Sequence, residues 1–267
     1  MPEGDTLFRT AAVLREVLLG RTVTAARGRP GGARLERLVG RRITRVEATG
    51  KHLLIDDDGG LTVHSHLGMH GSWHRYRPGE RWRRSPSRAS AVVEVEGAVA
   101  VCFDAPTVEL VETRALAIHP GLRSLGPDLI TDDATAATLV ERLRSLPATT
   151  SIGDALLDQR AMAGLGNVYR SEVCFVERVD PFTPLSALPD AGLGRIVETA
   201  RGLLRANRLA AGRTTVPGGA APGGRLWVYG RAGRPCRRCG TRITRRVAGD
   251  RPRPVWWCPR CQPPSGA

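Results

Sequence analysis

A chain of 267 residues is long enough for two compact domains, or for one with an appendage, and has ample length to bury a core. Lys plus Arg total 40 against 26 for Asp plus Glu, a formal charge of +14 and a pI of 11.0, which points to a polyanionic partner, nucleic acid ahead of a membrane surface. No apolar run reaches membrane-spanning length, and the opening MPEGDTLFRT lacks the basic-then-apolar order of a secretion signal, so a cytoplasmic protein with no membrane partner is expected.

In chain order, residues 6–19 carry Leu7, Ala11, Leu14 and Leu18 on one helical face and stop at Gly20. From residue 21 to about 111 the pattern changes to short β-type runs at 22–26, 43–48, 52–56, 61–65, 91–95 and 99–103, an antiparallel sandwich or barrel. The arginine-rich residues 75–88 interrupt it and read as a mobile loop. Helical periodicity returns at 135–146, 152–157, 167–176 and 193–207, with Ser151 and Asp154 spaced as a capping box. Residues 216–224, rich in Gly and Pro, read as a flexible connection. The expected organisation is α+β and multidomain: a β-sandwich domain over 1–120, a helical domain over 128–215, a connection over 216–230 and a cysteine module over 231–267.

Cys236, Cys239, Cys258 and Cys261 form two C-x2-C pairs, the spacing of one tetrahedral zinc site. A module this small cannot bury enough core alone, so the ion supplies folding free energy, and four thiolates leave no open position for catalysis. Arg237, Arg238, Arg242, Arg245, Arg246, Arg251 and Arg253 crowd this module and suit DNA phosphates. Cys102 and Cys174 stand apart in apolar surroundings and read as buried hydrophobes.

Every basic residue except Lys51 is arginine. Lysine alone can deprotonate or act as a compact ammonium at a tight site, which makes Lys51 a candidate for chemistry, chance survival of a surface lysine being the alternative. Residues 158–167 place Gly164, Gly166 and Asn167 between helices, a turn that can aim backbone N–H groups at an anion. A plain helix connection would have the same composition. His64 and His66 alternate on a strand with no carboxylate partner evident, and are taken as structural.

Together the opening Pro2-Glu3-Gly4, the run Thr49-Gly50-Lys51-His52-Leu53-Leu54, Ser65-His66-Leu67-Gly68-Met69, Leu156-Leu157-Asp158-Gln159, the run from Ala163 to Arg170 and the cysteines resemble the formamidopyrimidine-DNA glycosylase and endonuclease VIII family. The resemblance spans essentially the whole chain. It implies a helix–two-turns–helix element in the helical domain, a C-terminal β-hairpin zinc finger, one structural Zn2+ on the four cysteines, and a monomer that acts on double-stranded DNA containing a damaged base or abasic site. It further implies that Met1 is removed and that the Pro2 amine attacks the sugar. An α-amino group titrates near ~8 against ~10.4 for lysine, so about two powers of ten more of it is unprotonated at neutral pH. Glu3 is then the general acid on the sugar ring oxygen and Lys51 the catalytic ammonium. Asn167 and Arg253 are phosphate contacts, and Met69 is a wedge that fills the space of a flipped nucleotide.

Two departures from the family pattern stand out. Asp5-Thr6 stands where many members carry Pro-Glu, so the second N-terminal carboxylate is missing or replaced by Asp5; separately, residues 103–110 lack the Arg-x-Phe pair of the guanine-specific branch, which favours endonuclease VIII and oxidised pyrimidines. Met69 and Val228-Tyr229-Gly230-Arg231 lean toward the 8-oxoguanine branch. A non-catalytic protein that binds damaged DNA through the same elements is the rival from another class, and a zinc-dependent nuclease a third.

Overall fold

The computed structural model describes residues 1–218, 225–248 and 252–264. Most of the expected connection at 216–224 lies outside these residues, as does Arg251. The chain divides into two compact units, Met1–Ser124 and Leu125–Ala267.

The first unit opens with helix α1 (Gly4–Leu18), whose buried face is Leu7, Ala11, Leu14 and Leu18. Eight strands follow: β1 (Val23–Gly28), β2 (Ile43–Thr49), β3 (His52–Asp57), β4 (Leu61–His66), β5 (Ser72–Tyr76), β6 (Ala89–Val95), β7 (Ala98–Phe103) and β8 (Thr107–Glu112). They form two antiparallel sheets, ordered β1-β6-β7-β5 and β2-β3-β4-β8. Alternate residues turn inward, so Leu53, Ile55 and Val63 of one sheet meet Ala91, Val93, Ala100 and Cys102 of the other in a single core that α1 also joins. Burial pushes the Cys102 thiol well above its ordinary range, as expected of a packing residue.

The edge strands β5 and β8 fall outside the strand runs expected from sequence. β8 is half-buried along nearly its whole length and carries Glu109 and Glu112, so it lacks the hydrophobic alternation that marks a strand. The arginine-rich segment also departs from expectation: its start belongs to β5, residues Pro86–Arg88 make a 3-10 turn, and Trp82 stacks on Tyr76 at 6.1 Å and meets Phe103 edge-on at 5.8 Å. Aromatic packing fastens a segment whose charge pattern alone suggests a free loop.

The second unit holds α2 (Ala136–Arg144), α3 (Ile152–Ala155), α4 (Asn167–Val176) and α5 (Asp190–Asn207), then the hairpin β9 (Thr244–Ala248) and β10 (Arg253–Trp257). The capping box is present: Ser151 Oγ accepts the Asp154 N–H at 3.2 Å and donates to the Asp154 carboxylate at 2.8 Å. α4 is buried on nearly every side and packs against both α5 and β10. Glu172, fully buried on α4, accepts the backbone N–H groups of Trp227, Val228 and Tyr229 at 2.8–2.9 Å and the hydroxyl of Thr215. Among the described residues, no helix is long and apolar enough to cross a membrane.

Candidate functional site

Pro2 is half-buried immediately before α1, while Glu3, the N-cap residue, and Asp5 in the first turn are fully buried. Two carboxylates thus lie at the positive end of a helix dipole, where negative charge is favoured. Asp5 is the second buried carboxylate at this helix end.

Lys51 occupies the tip of a two-residue hairpin. Thr49 pairs with His52, and Gly50 takes φ +59 at the first loop position, the geometry that closes so short a turn. The orientation of α1 follows from two contacts: the Gly20 N–H donates to the Ile43 carbonyl at 2.8 Å, and Arg15 donates to the Val46 carbonyl at 2.6 Å. Helix and strand therefore run in opposite senses. From Arg15 back to Pro2 is about 20 Å of helix, and from Val46 on to Lys51 about 17 Å of strand, so Pro2 and Lys51 fall toward the same end of the sheet.

Met69, 66% exposed, projects from the β4–β5 connection. That connection is braced. Gly68 takes φ +57, and a side chain there would meet the Pro106 ring at 2.8 Å, so the loop lies directly on the β7–β8 connection. Arg84 donates to the His70 carbonyl at 3.2 Å and to the Asp104 carboxylate, while Arg88 reaches Asp104 at 2.8 Å. Hydrogen bonds from Arg88 and Arg84 hold the Asp104 carboxyl below its ordinary range.

His64 has a carboxylate partner after all. Its Nδ1 lies 2.9 Å from Glu109 Oε2, which also receives His119 Nε2 at 3.0 Å, and His52 Nδ1 lies 2.8 Å from His64 Nε2. Burial pulls His52 down to about 3, reinforced by the neighbouring imidazoles and Lys51, and burial also lowers His64 despite Glu109. For Glu109, burial acts upward, but the hydrogen bonds from His64 and His119 outweigh it and leave the carboxyl below its ordinary range. The partner is 45 positions away in sequence, and strand pairing alone brings the two together.

In the second unit, Asn167 opens α4 and is buried, and its Nδ2 donates to the Pro254 carbonyl at 2.8 Å. Arg253, exposed at the start of β10, is therefore chain neighbour to the acceptor. Arg170 completes the join by donating to Asn167 Oδ1 and, at 3.1 Å, to Pro254. The two residues expected to grip phosphate are brought together here. At the preceding turn, Gln159 donates to the carbonyls of Leu157 and Leu165, both at 3.0 Å, and accepts the Gly164 N–H at 3.1 Å. The helix itself begins without a side-chain cap.

Cys236, Cys239, Cys258 and Cys261 converge at the base of the β9–β10 hairpin, with all four sulfurs within 4.8 Å of one another. The separations Cys236–Cys261 of 3.9 Å and Cys239–Cys258 of 3.5 Å are far beyond a disulfide and bracket the ~3.8 Å edge of a tetrahedron with Zn–S bonds near 2.3 Å. Hydrogen bonds from Thr241 hold the Cys239 thiol down to about 6, while burial pushes Cys261 up to about 12. Such a set of thiols fits a metal ion, which would draw all four into thiolate form.

The model of the formamidopyrimidine-DNA glycosylase N-terminal domain matches residues 1–116, and that of the formamidopyrimidine-DNA glycosylase H2TH domain matches residues 125–216. A probable endonuclease 8 2 of Streptomyces coelicolor is 42% identical over 265 residues, covering 98% of this chain and 94% of that protein. The DNA-(apurinic or apyrimidinic site) lyase Nei2 of Mycolicibacterium smegmatis is 41% identical over 262 residues, 98% of this chain and 99% of the other. The crystal structure of the MutM (Fpg) protein of Thermus thermophilus superposes with a TM-score of 0.82 at 30% identity, covering 98% of each chain. These likenesses define the class as a β-sandwich unit followed by an H2TH unit that carries a cysteine hairpin. The chain belongs to the formamidopyrimidine-DNA glycosylase and endonuclease VIII family, on the endonuclease VIII side.

Proposed function

We propose that this chain is a base-excision-repair DNA glycosylase with AP lyase activity that uses Pro2 as its nucleophile. Removal of Met1 exposes a secondary amine at a helix N-terminus, whose positive end disfavours the ammonium form. The amine attacks C1′ of the damaged nucleoside and the base departs. Glu3 protonates the ring oxygen as the ring opens, giving an iminium at C1′. Loss of the C2′ proton then breaks the C3′–O bond, loss of the C4′ proton breaks the C5′–O bond, and water releases the amine. Lys51 provides the ammonium beside the reacting sugar phosphate.

What supports this reading is that α1 and β2, running in opposite senses from the Arg15–Val46 contact, carry Pro2 and Lys51 toward the same end of the sheet, with Glu3 and Asp5 buried at the start of α1. Asn167 and Arg253 contact the DNA backbone beside the lesion, and Met69 fills the stack when the nucleotide leaves it. The four cysteines hold one Zn2+ in a closed, structural site that keeps the β9–β10 hairpin folded. The enzyme acts as a monomer in the cytoplasm, on double-stranded DNA.

Oxidised pyrimidines are the preferred lesions. The β7–β8 connection offers Asp104-Ala105-Pro106 and no Arg-x-Phe pair to probe the base opposite the lesion, and the relatives of highest identity above carry endonuclease 8 or Nei2 names. Met69 favours the second reading, 8-oxoguanine. Borohydride reduction during turnover should trap a covalent enzyme–DNA adduct in the wild type, and Pro2→Gly should abolish or cripple lyase activity. Wild-type trapping by protein that retains Met1 would overturn the assignment of the nucleophile. A panel of thymine glycol, dihydrouracil, 8-oxoguanine and abasic duplexes decides the substrate.

A further inference from the structure

One face of the sheet β2-β3-β4-β8 gathers chemistry that the proposed reaction does not use. Glu109 pairs directly with His64 across β4 and β8, and His66 pairs with His52 across β3 and β4. Residues opposite one another share a face, as do those two apart on a strand, so all four side chains project to the same side. His119, at the C-terminal end of the 3-10 helix Thr113–Ile118, arrives from outside the sheet. Its ring lies edge-on to that of His64, with centroids 4.7 Å apart.

We propose that His64, Glu109 and His119 form a second metal site, for a zinc-class divalent cation, with His52 as the hydrogen-bond partner behind His64. The three donor atoms, His64 Nδ1, Glu109 Oε2 and His119 Nε2, lie within 4.8 Å of one another. Two imidazole nitrogens and one carboxylate oxygen are a donor set that zinc takes in open sites, with water in the fourth position. The mixture suits zinc and its transition-metal neighbours over magnesium or calcium, which prefer oxygen throughout. Strand register sets two of the three ligands before any ion arrives, so little chain ordering opposes binding. Glu109 is 44% exposed and gives an ion its route in from solvent.

The hydrogen bonds show what binding must rearrange. Without the ion, His64 Nδ1–H and His119 Nε2–H both donate to Glu109, His52 Nδ1–H donates to His64 Nε2, and the Gly121 N–H donates to His119 Nδ1 at 3.2 Å. As the ion takes His64 Nδ1, that ring carries its proton on Nε2 and donates to His52 Nδ1, and His52 carries its own on Nε2. His119 moves its proton to Nδ1 and gives up the bond from Gly121. Each ring keeps one proton and none is released overall. His52 then stands where the outer partner of a metal-bound histidine normally stands, fixing ring and tautomer.

Full-length protein with its cysteine site loaded is titrated with Zn2+ alone, and separately with Co2+, and metal per chain is measured after desalting. Saturation at two ions is expected, the second cobalt giving weak visible bands without the sulfur charge-transfer absorption of the first. Glu109→Gln and His119→Gln should each weaken the second ion by about tenfold or more while leaving the cysteine-bound ion in place. These variants spare the buried His64, and circular dichroism verifies that each is folded; should one fail to fold, the other carries the test. Saturation at one ion, or a second ion whose affinity the folded variants leave unchanged, overturns the proposal. Neither outcome bears on Pro2, because the readout is metal content and spectrum and not strand cleavage.

Discussion

The Asn167 side-chain amide donates to the backbone carbonyl of Pro254 at 2.8 Å, tying the first residue of α4 to the strand that carries Arg253. A helix N-terminus and a hairpin remote in sequence thereby become one surface. Asn167 is buried and shares the Pro254 acceptor with Arg170, whereas Arg253 is exposed. Asn167→Ala should lower stability by about 1–3 kcal/mol, the cost of leaving buried partners unpaired, and should weaken DNA binding as well. Arg253→Ala should leave the melting temperature unchanged and reduce the slope of log binding constant against log salt by about one. Titrations of an abasic duplex at several salt concentrations, with parallel thermal melts, check both outcomes.

Met69 is 66% exposed and contributes little to the fold. Met69→Ala should melt like the wild type yet lose at least severalfold in base release from duplex DNA, with a smaller loss on single-stranded DNA, where no hole in a stack needs filling. Equal losses on the two substrates would remove the wedge from the account.

Glu172 shows the opposite balance, since it is fully buried and accepts three backbone N–H groups and one hydroxyl. Glu172→Ala should cost about 3 kcal/mol or more, because hydrogen bonds to a charged group are strong and their buried donors would be left unmet. Denaturant melts followed by tryptophan fluorescence would report it through Trp227, whose N–H is among the donors.

Acid should destabilise the metal-free first unit. His52, lowered to about 3, and His64 and His74, also lowered by burial, are held neutral in the folded state, whereas the unfolded chain takes up these protons near 6.5. The His52 contribution is fully present above about pH 6.5 and is lost as pH falls toward 3, by at most about 1.4 kcal/mol per pH unit, and those of His64 and His74 run in the same direction. Denaturation midpoints at pH 7.5, 6 and 5 in the presence of chelator should fall in that order. A His52→Asn variant should show a shallower decline.

Removing the ion from the four cysteines should unfold the β9–β10 hairpin and abolish DNA binding, since among the described residues the module's own apolar core is little more than Ile243, Val255 and Trp256, packed against Phe175 and Val228. Cys258→Ser should behave as the stripped protein does. Retention of duplex binding by a metal-free form would show that the hairpin stands without it.

The parts of this protein legible in the sequence are those whose signal is local. The helical face of Leu7, Ala11, Leu14 and Leu18, the Ser151 capping box, α4 and the two C-x2-C pairs each occupy a few turns or a few residues, and each is found where expected. Lys51 stood out because it is the one lysine among arginines. β5 and β8 did not, because Ser72, His74 and Arg75 break up the apolar pair Trp73 and Tyr76 in β5, and β8 is half-buried along nearly its whole length with Glu109 and Glu112 in it; the arginine-rich segment likewise concealed the single indole that anchors it.

By itself, then, the sequence determined the helices, six of the eight strands of the first unit, the cysteine cluster and the residue types available for chemistry, because period, spacing and composition act over short stretches of chain. Tertiary structure alone decided which distant residues became partners: Glu109 with His64, Asn167 with Pro254, Glu172 with the backbone of residues 227–229. Such pairs depend on strand register and on how a helix lies against a hairpin. Those are properties of the packed core as a whole, and no single segment carries them.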